Sequence, residues 1–204
     1  LGEGRTQVYN DEWQNGGLRR LFSPVLSEPT LHKESTNMKK MTEANLQAAF
    51  AGESQAHMKY LNFAEQARRE KLPNIARLFE AASFSEQVHA SNHLRALGGV
   101  QDSATNLGAA QGGETFEIEE MYPAYKVVAQ DQGEERALRI MNWAMEAEKV
   151  HAQLYGAAKP QAQAKQDITA KDIWVCTACG FTMEGDAPDV CPVCGAKHEK
   201  FRKF

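Results

Sequence analysis

The sequence predicts an all-α four-helix bundle followed by a small metal-bound module at the C-terminus. Three observations carry that prediction. Four runs of apolar residues recur at helical spacing between residues 42 and 156. Two of those runs contain Glu-x-x-His, at Glu86/His89 and Glu148/His151. All four cysteines fall in two close pairs, Cys176/Cys179 and Cys191/Cys194. A chain of 204 residues, 25% charged and 42% hydrophobic, suits one core and an appendage.

Residues 1–37 show no helical or strand period, only Gly16-Gly17, Ser23-Pro24 and Glu28-Pro29 punctuation, and read as an N-terminal extension of unknown role. Asn37-Met38 would make a natural beginning for the helical part of the chain. Thr42 suits a helix N-cap, and Leu46, Phe50, Glu53, His57, Tyr60, Ala64 and Ala67 share one helical stripe. Pro73 suits the first turn of a second helix, with Ile75, Phe79, Ala82, Glu86, His89, His93 and Leu97 on one face and Gly98-Gly99 as its stop. Residues 100–113 read as a polar, glycine-containing connection. The third helix then carries Glu114, Glu117 or Ile118, Met121, Tyr125 and Val128, with a kink expected at Pro123. The fourth carries Ala137, Ile140, Met141, Ala144, Glu148, His151 and Tyr155, and is expected to stop at Gly156. Residues 157–171, rich in Ala, Gln and Lys, read as a linker. The expected organisation is a bundle over 38–158, a linker over 159–170 and a module over 171–204. Each half of the bundle is a hairpin whose second helix bears Glu-x-x-His, so the halves look pseudo-symmetric.

A net charge of -4 and a pI near 5.9 give no electrostatic reason to expect nucleic acid or an acidic membrane surface as partner. No apolar run approaches the roughly 20 residues needed to cross a bilayer. Cytoplasmic residence is the expectation, and paired thiols in a reducing compartment would serve as ligands. The basic tail of Lys197, Lys200, Arg202 and Lys203 reads as a solvated end, or as a docking patch for an acidic electron-transfer partner.

Residues three apart on a helix project from nearly the same side, so each Glu-x-x-His can offer an oxygen and a nitrogen to one ion. Glu53 and Glu114 or Glu117 fall in the stripes of the other two helices. Gathering that many carboxylates in one core is costly unless cations lie between them. One Glu from each of two helices plus Glu-x-x-His from the other two is the donor set of di-iron and di-manganese carboxylate bundles. His57 and His93, one turn from these donors, read as hydrogen-bonded neighbours rather than ligands. Tyr60, Tyr122 and Tyr125 read as core aromatics. Tyr60 is also a candidate for the catalytic set, because a buried phenol needs a partner and a ligand carboxylate is an obvious one.

Cys176-x-x-Cys179 and Cys191-x-x-Cys194 place four thiolates for tetrahedral coordination, with Gly180 and Gly195 allowing the backbone to turn. A module of residues 171–204 is too small to fold on buried surface alone, so metal would supply much of its stability, with Trp174, Phe181 and Phe201 packed alongside. Spacing does not choose between zinc and iron. A redox-active bundle in the same chain makes iron the more economical choice.

The chain resembles rubrerythrin in Ala51-Gly52-Glu53-Ser54-Gln55-Ala56, Glu86-x-x-His89, Glu114-x-x-Glu117 followed by Glu120-Met121-Tyr122-Pro123, Glu148-x-x-His151 and the terminal cysteines. The resemblance covers residues 38–204 and implies a ferritin-like di-iron bundle with a rubredoxin-like iron domain. It implies a peroxidase that reduces hydrogen peroxide to water, protecting against oxidative stress. Electrons would come from NAD(P)H through a separate reductase, or from rubredoxin, by way of the four-cysteine iron. The implied di-iron ligands are Glu53, Glu86, His89, Glu114, Glu117, Glu148 and His151, and Glu117 is expected to exchange with His89 as one iron changes oxidation state. A homodimer is also implied, in which the thiolate-bound iron of one subunit approaches the di-iron site of the other. The connection between the second and third helices is shorter than in some members. A ferroxidase or iron-storage protein is the main alternative, and a zinc-ribbon interaction module, colourless and without peroxide turnover, is a third.

Overall fold

The structure, a computed structural model, describes residues 38–169 and 171–204, so the expected N-terminal extension over residues 1–37 lies outside it. Helix α1 (Lys40–Arg69) and helix α2 (Pro73–Ala96) form the first hairpin. The turn between them reverses tightly because Lys71 adopts a left-handed φ of 61° and the Leu72 N–H donates to the Ala67 carbonyl. Pro73 then starts α2, its missing N–H costing nothing in a first turn. The helices approach closely along small residues: Ala64, Ala67, Ala76 and Ser83 are buried. Ser83 also pins the pair. Its hydroxyl donates to the His57 carbonyl at 2.9 Å, and His57 Nδ1 lies 3.0 Å from the Ser83 carbonyl. His57 is thus satisfied structurally, as expected.

The second hairpin is longer than expected at both ends. Helix α3 (Ser103–Phe116) occupies most of the stretch read as a connection, capped by Asp102, whose carboxylate accepts from the Thr105 N–H at 3.0 Å. A π-helical turn (Glu117–Met121) and helix α4 (Tyr122–Asp131) continue it without a break, so these three pieces make the third of the four helical rods. In the π turn the Tyr122 N–H reaches the Glu117 carbonyl five residues back, just ahead of Pro123, where a proline kink was expected. Helix α5 (Glu135–Gln163) runs past Gly156 and through Pro160, so the first residues read as linker are helical. The reason lies in packing between α3 and α5. A Cβ on Gly156 would meet the Gln111 side chain at 2.6 Å, and one on Gly108 would meet Lys159 at 3.0 Å. These glycines give close helix approach rather than loop conformation.

Packing runs within each hairpin. Helix α1 lies on α2, while α3 and α4 lie on α5, and no helix of the first pair packs extensively on a helix of the second. The C-terminal module is a three-stranded antiparallel sheet in the order β2-β1-β3, from β1 (Ile173–Cys176), β2 (Thr182–Glu184) and β3 (Phe201–Lys203). Its core is Cys176, Cys191 and Phe201, with Trp174 and Phe181 packed against them as expected. Strand β2 touches α5. Among the described residues, no helix is long and apolar enough to cross a membrane.

Candidate metal centres

Three donor groups stand out among the described residues, each with ligand atoms within 4.8 Å of one another: Glu53 with Glu86 and His89, Glu114 with Glu148 and His151, and the four cysteines.

The first group sits at mid-length on the α1–α2 hairpin. His89 Nδ1 lies 2.9 Å from Glu86 Oε2, which the i,i+3 spacing on α2 dictates. The His89 side chain is half exposed. Tyr60, on the same hairpin, stands in an aromatic cluster with Phe63 and Phe79 at centroid distances of 6.1 and 6.2 Å. Among the described residues its hydroxyl has no hydrogen-bond partner.

The second group is better enclosed. His151 Nδ1 lies 2.7 Å from Glu148 Oε2 and 3.8 Å from Glu114 Oε1. Burial, and then the charge of Glu148, pushes the Glu114 carboxyl above the usual carboxylate range. The same two causes raise Glu117, which the π turn places close by, although it does not join the three-donor group. Two carboxylates that burial and the charge of Glu148 make harder to ionise suit a site that takes up cations. Two phenols share this surrounding. Burial comes first, then the glutamates, in raising both Tyr122 and Tyr155, and the Tyr155 ring stacks on His151 at 6.2 Å. Tyr122 was legible as a core aromatic and a residue of the family motif, and Tyr155 as a stripe residue, although the four-residue step from His151 to Tyr155 could have placed that phenol beside the site.

The second ring nitrogen of His151 shows what spacing could not. Nε2 lies 2.8 Å from the hydroxyl of Thr182, a buried residue of β2. Thr182 Oγ1 donates to the Gly180 carbonyl at 3.2 Å, so it can accept from a protonated Nε2, the tautomer whose Nδ1 lone pair would serve a cation held among the carboxylates. A metal-binding histidine commonly holds its other nitrogen this way. The resemblance implied that the cysteine module approaches the di-iron residues of another subunit. Here it meets the Glu-x-x-His of its own chain.

In the module, Cys176 Sγ lies 3.7 Å from Cys194 Sγ, and Cys179 Sγ 3.7 Å from Cys191 Sγ. A disulfide needs about 2.05 Å. Metal–sulfur bonds of about 2.3 Å in a tetrahedron put neighbouring sulfurs about 3.8 Å apart, so the spacing fits four-thiolate coordination. Burial raises the Cys179 and Cys194 thiols. Burial also works against the Cys191 thiolate, but the N–H groups of Cys194 and Val193 and the Cys194 and Cys179 thiols together outweigh it and lower that thiol. Gly180 and Gly195, at φ of 84° and 76°, make the turns that aim such N–H groups inward.

Comparison with known proteins agrees with both donor chemistries. The rubrerythrin family model matches residues 44–159, and the model described as the rubredoxin-like domain of rubrerythrin matches residues 174–202. The chain is 40% identical to rubrerythrin-2 of Clostridium acetobutylicum over 80% of its own length and 97% of that protein. It is 32% identical to nigerythrin of Nitratidesulfovibrio vulgaris over 80% and 86% of the two chains. Among solved structures, nigerythrin in its fully reduced, all-ferrous state is similar at 30% identity, covering 91% of this chain and 98% of that one, with a TM-score of 0.47.

Proposed function

Because the chain belongs to the rubrerythrin family, whose cofactors of two carboxylate-bridged irons and one iron in a four-cysteine site suit the donor groups present, we propose that it is a peroxidase. It reduces hydrogen peroxide to two waters with two electrons and two protons, protecting the cell against oxidative stress. The electrons come from NAD(P)H by way of a reductase, or from rubredoxin. The observation that carries this reading is the Thr182–His151 hydrogen bond, which joins the thiolate module to a di-iron ligand within one chain.

The proposed di-iron ligands are Glu53, Glu86, His89, Glu114, Glu117, Glu148 and His151, and Cys176, Cys179, Cys191 and Cys194 hold the single iron. When bound, the iron pair supplies two electrons for cleaving the O–O bond, and the thiolate-held iron supplies replacements one at a time. The chain's own contribution is distinct. His151, stacked on Tyr155 and tied to Thr182, is held rigidly with Nδ1 toward the site. Glu117 sits on a π turn, a local loosening of the helix, and is the carboxylate assigned to exchange with His89. Tyr122 and Tyr155 stay protonated because their surroundings oppose the phenolate, so each can donate a hydrogen bond at the site. Tyr60, seven residues along α1 from Glu53, is assigned to the catalytic set.

The bundle is assigned to residues 38–158, although α5 carries it helically to Gln163, and the module to residues 171–204. Four free, paired thiols favour the cytoplasm. Anaerobic stopped-flow mixing of the reduced protein with peroxide and with oxygen tests the function. Rapid oxidation by peroxide with one equivalent consumed per iron pair is expected. Oxidation by oxygen with peroxide left intact would favour the ferroxidase.

A further inference from the structure

We propose that the cleft between α5 and the cysteine module binds a flat, uncharged two-electron donor, a reduced flavin ring or a hydroquinone, which reduces the thiolate-held iron directly. The inference deepens the reading above and rests on it for the use made of the electrons. The site itself rests on shape, position and donor chemistry.

The N-terminal half of α5 and the module enclose a cleft of about 690 Å³, inside the roughly 300–1,000 Å³ usual for small-molecule sites. Leu138 and Trp143 line it from α5, and Phe181 and Val193 from the module. Two aromatic side chains among apolar neighbours favour a flat ring, which can stack on one or both. The position is as informative as the shape. Val193 lies between the paired cysteines Cys191 and Cys194, and both Phe181 and Val193 pack against the core of Cys176, Cys191 and Phe201. A ring seated against them stands one layer of side chains from the sulfurs.

The polar lining selects the kind of ring. Arg139 and Asn142 supply hydrogen-bond donors, while Glu135 and Glu146 supply acceptors. That mixture suits a ring edge bearing carbonyl oxygens together with N–H or O–H groups, as a flavin or a hydroquinone does. The Arg139 guanidinium lies 6.0 Å from the centre of the Trp143 ring, and among the described residues it has no carboxylate within ion-pair distance. Glu146 is already paired, with Lys149 at 2.5 Å. Two carboxylates against one guanidinium disfavour a donor carrying phosphates and favour an uncharged one. The exchange balances. The donor loses two electrons and two ring hydrogens, the hydrogens leaving to water as protons. Each electron takes the thiolate-held iron from ferric to ferrous, and the first passes on to the helical site before the second arrives.

The test uses the full-length, iron-loaded protein. Calorimetric titration with riboflavin and with a short-chain naphthoquinone measures binding, and stopped-flow mixing with each ring in its reduced form follows bleaching of the ferric-thiolate absorbance. At least one ring is expected to bind once per chain, with a bleaching rate that saturates as its concentration rises. Trp143→Ala should weaken binding about 10-fold or more, the size of effect seen when a stacking platform is removed. Arg139→Gln, on the exposed surface of α5, should weaken it about 3-fold or more through a lost hydrogen bond. Bleaching by dithionite should be unchanged in both variants. If Trp143→Ala loses the native ferric-thiolate spectrum, Arg139→Gln decides, and native affinity there overturns the site. Binding by neither ring overturns it too, as does bleaching that rises linearly with donor and equally in native and variant proteins. Binding by one ring and not the other supports the site and names its donor class. Saturable binding without peroxide turnover rejects the peroxidase reading and leaves the site standing. Peroxide turnover with rubredoxin as donor, and neither ring bound, does the reverse.

Discussion

His151 divides its two ring nitrogens between two parts of the chain, Nδ1 toward Glu148 at 2.7 Å and Nε2 toward Thr182 at 2.8 Å. The first partner was legible, because i,i+3 spacing is local. The second was not, because Thr182 lies 31 residues away in a module whose docking no spacing rule encodes. Replacing Thr182 by Val should loosen the imidazole and weaken metal binding at this site about 10-fold or more, the size of effect typical when such a partner is lost. Competition titration with Fe(II) checks this, and Thr182→Ser should restore the affinity. The neighbouring acids predict a pH dependence. Glu114 and Glu117 are raised in the folded, metal-free protein, by burial first and then by Glu148. The native state therefore binds protons more tightly than the unfolded one. The stability they contribute is fully present below their ordinary value of 4.5 and is lost as pH rises through the raised native values. In chelator-treated protein, the Tm difference between the native chain and a Glu114→Gln, Glu117→Gln double variant should grow in the variant's favour as pH climbs from 4.5 toward neutrality. A difference that does not change with pH would show that burial and Glu148 do not raise these carboxylates.

At the scale of elements, apolar periodicity was enough to find the rods and not enough to find their ends. Residues 100–113 contain Gly108, Gly112 and Gly113, which lower helix propensity by about 1 kcal/mol each relative to alanine. Packing overrides that preference, since Gly108 and Gly156 bring α3 and α5 together where a side chain would collide. Asp102 caps the start of α3, its carboxylate accepting from the Thr105 N–H and hydroxyl. The π turn was not readable at all. Nothing in Glu117–Met121 distinguishes a five-residue hydrogen bond from an ordinary helical one, although Pro123 marked the place as irregular. The first hairpin depends on small residues in the same way. Ala64 is fully buried between α1 and α2, so Ala64→Leu must push the helices apart or strain its rotamer. A loss of about 1–3 kcal/mol is expected from such overpacking. Urea denaturation followed by far-ultraviolet circular dichroism measures it. A neutral substitution would mean that the hairpin is not closely packed there.

For the whole molecule, the four-helix plan was legible in the repeated hairpin, but the means of closing it was not, because hydrophobic stripes do not say whether the covering face belongs to the same chain. The C-terminal module poses the opposite case. Its metal site was legible from four cysteines, and the structure adds the contact of β2 with α5. Its buried core is Cys176, Cys191 and Phe201, too little to order residues 171–204 without a metal. If electrons reach the helical site only through this module, then damage to the module should separate supply from chemistry. Cys191→Ser removes a buried thiolate that neighbouring N–H groups favour. Reductase-driven peroxide consumption should fall at least about 100-fold, because removing one of four ligands leaves the site open and its metal labile. The helical donors lie on α1, α2, α3 and α5 and are untouched by the change. Chemically reduced variant should therefore still oxidise once with peroxide at close to the native rate. Single-turnover and steady-state kinetics on the same preparation separate the two, and an unchanged reductase-driven rate would mean that electrons enter the helical site by another route.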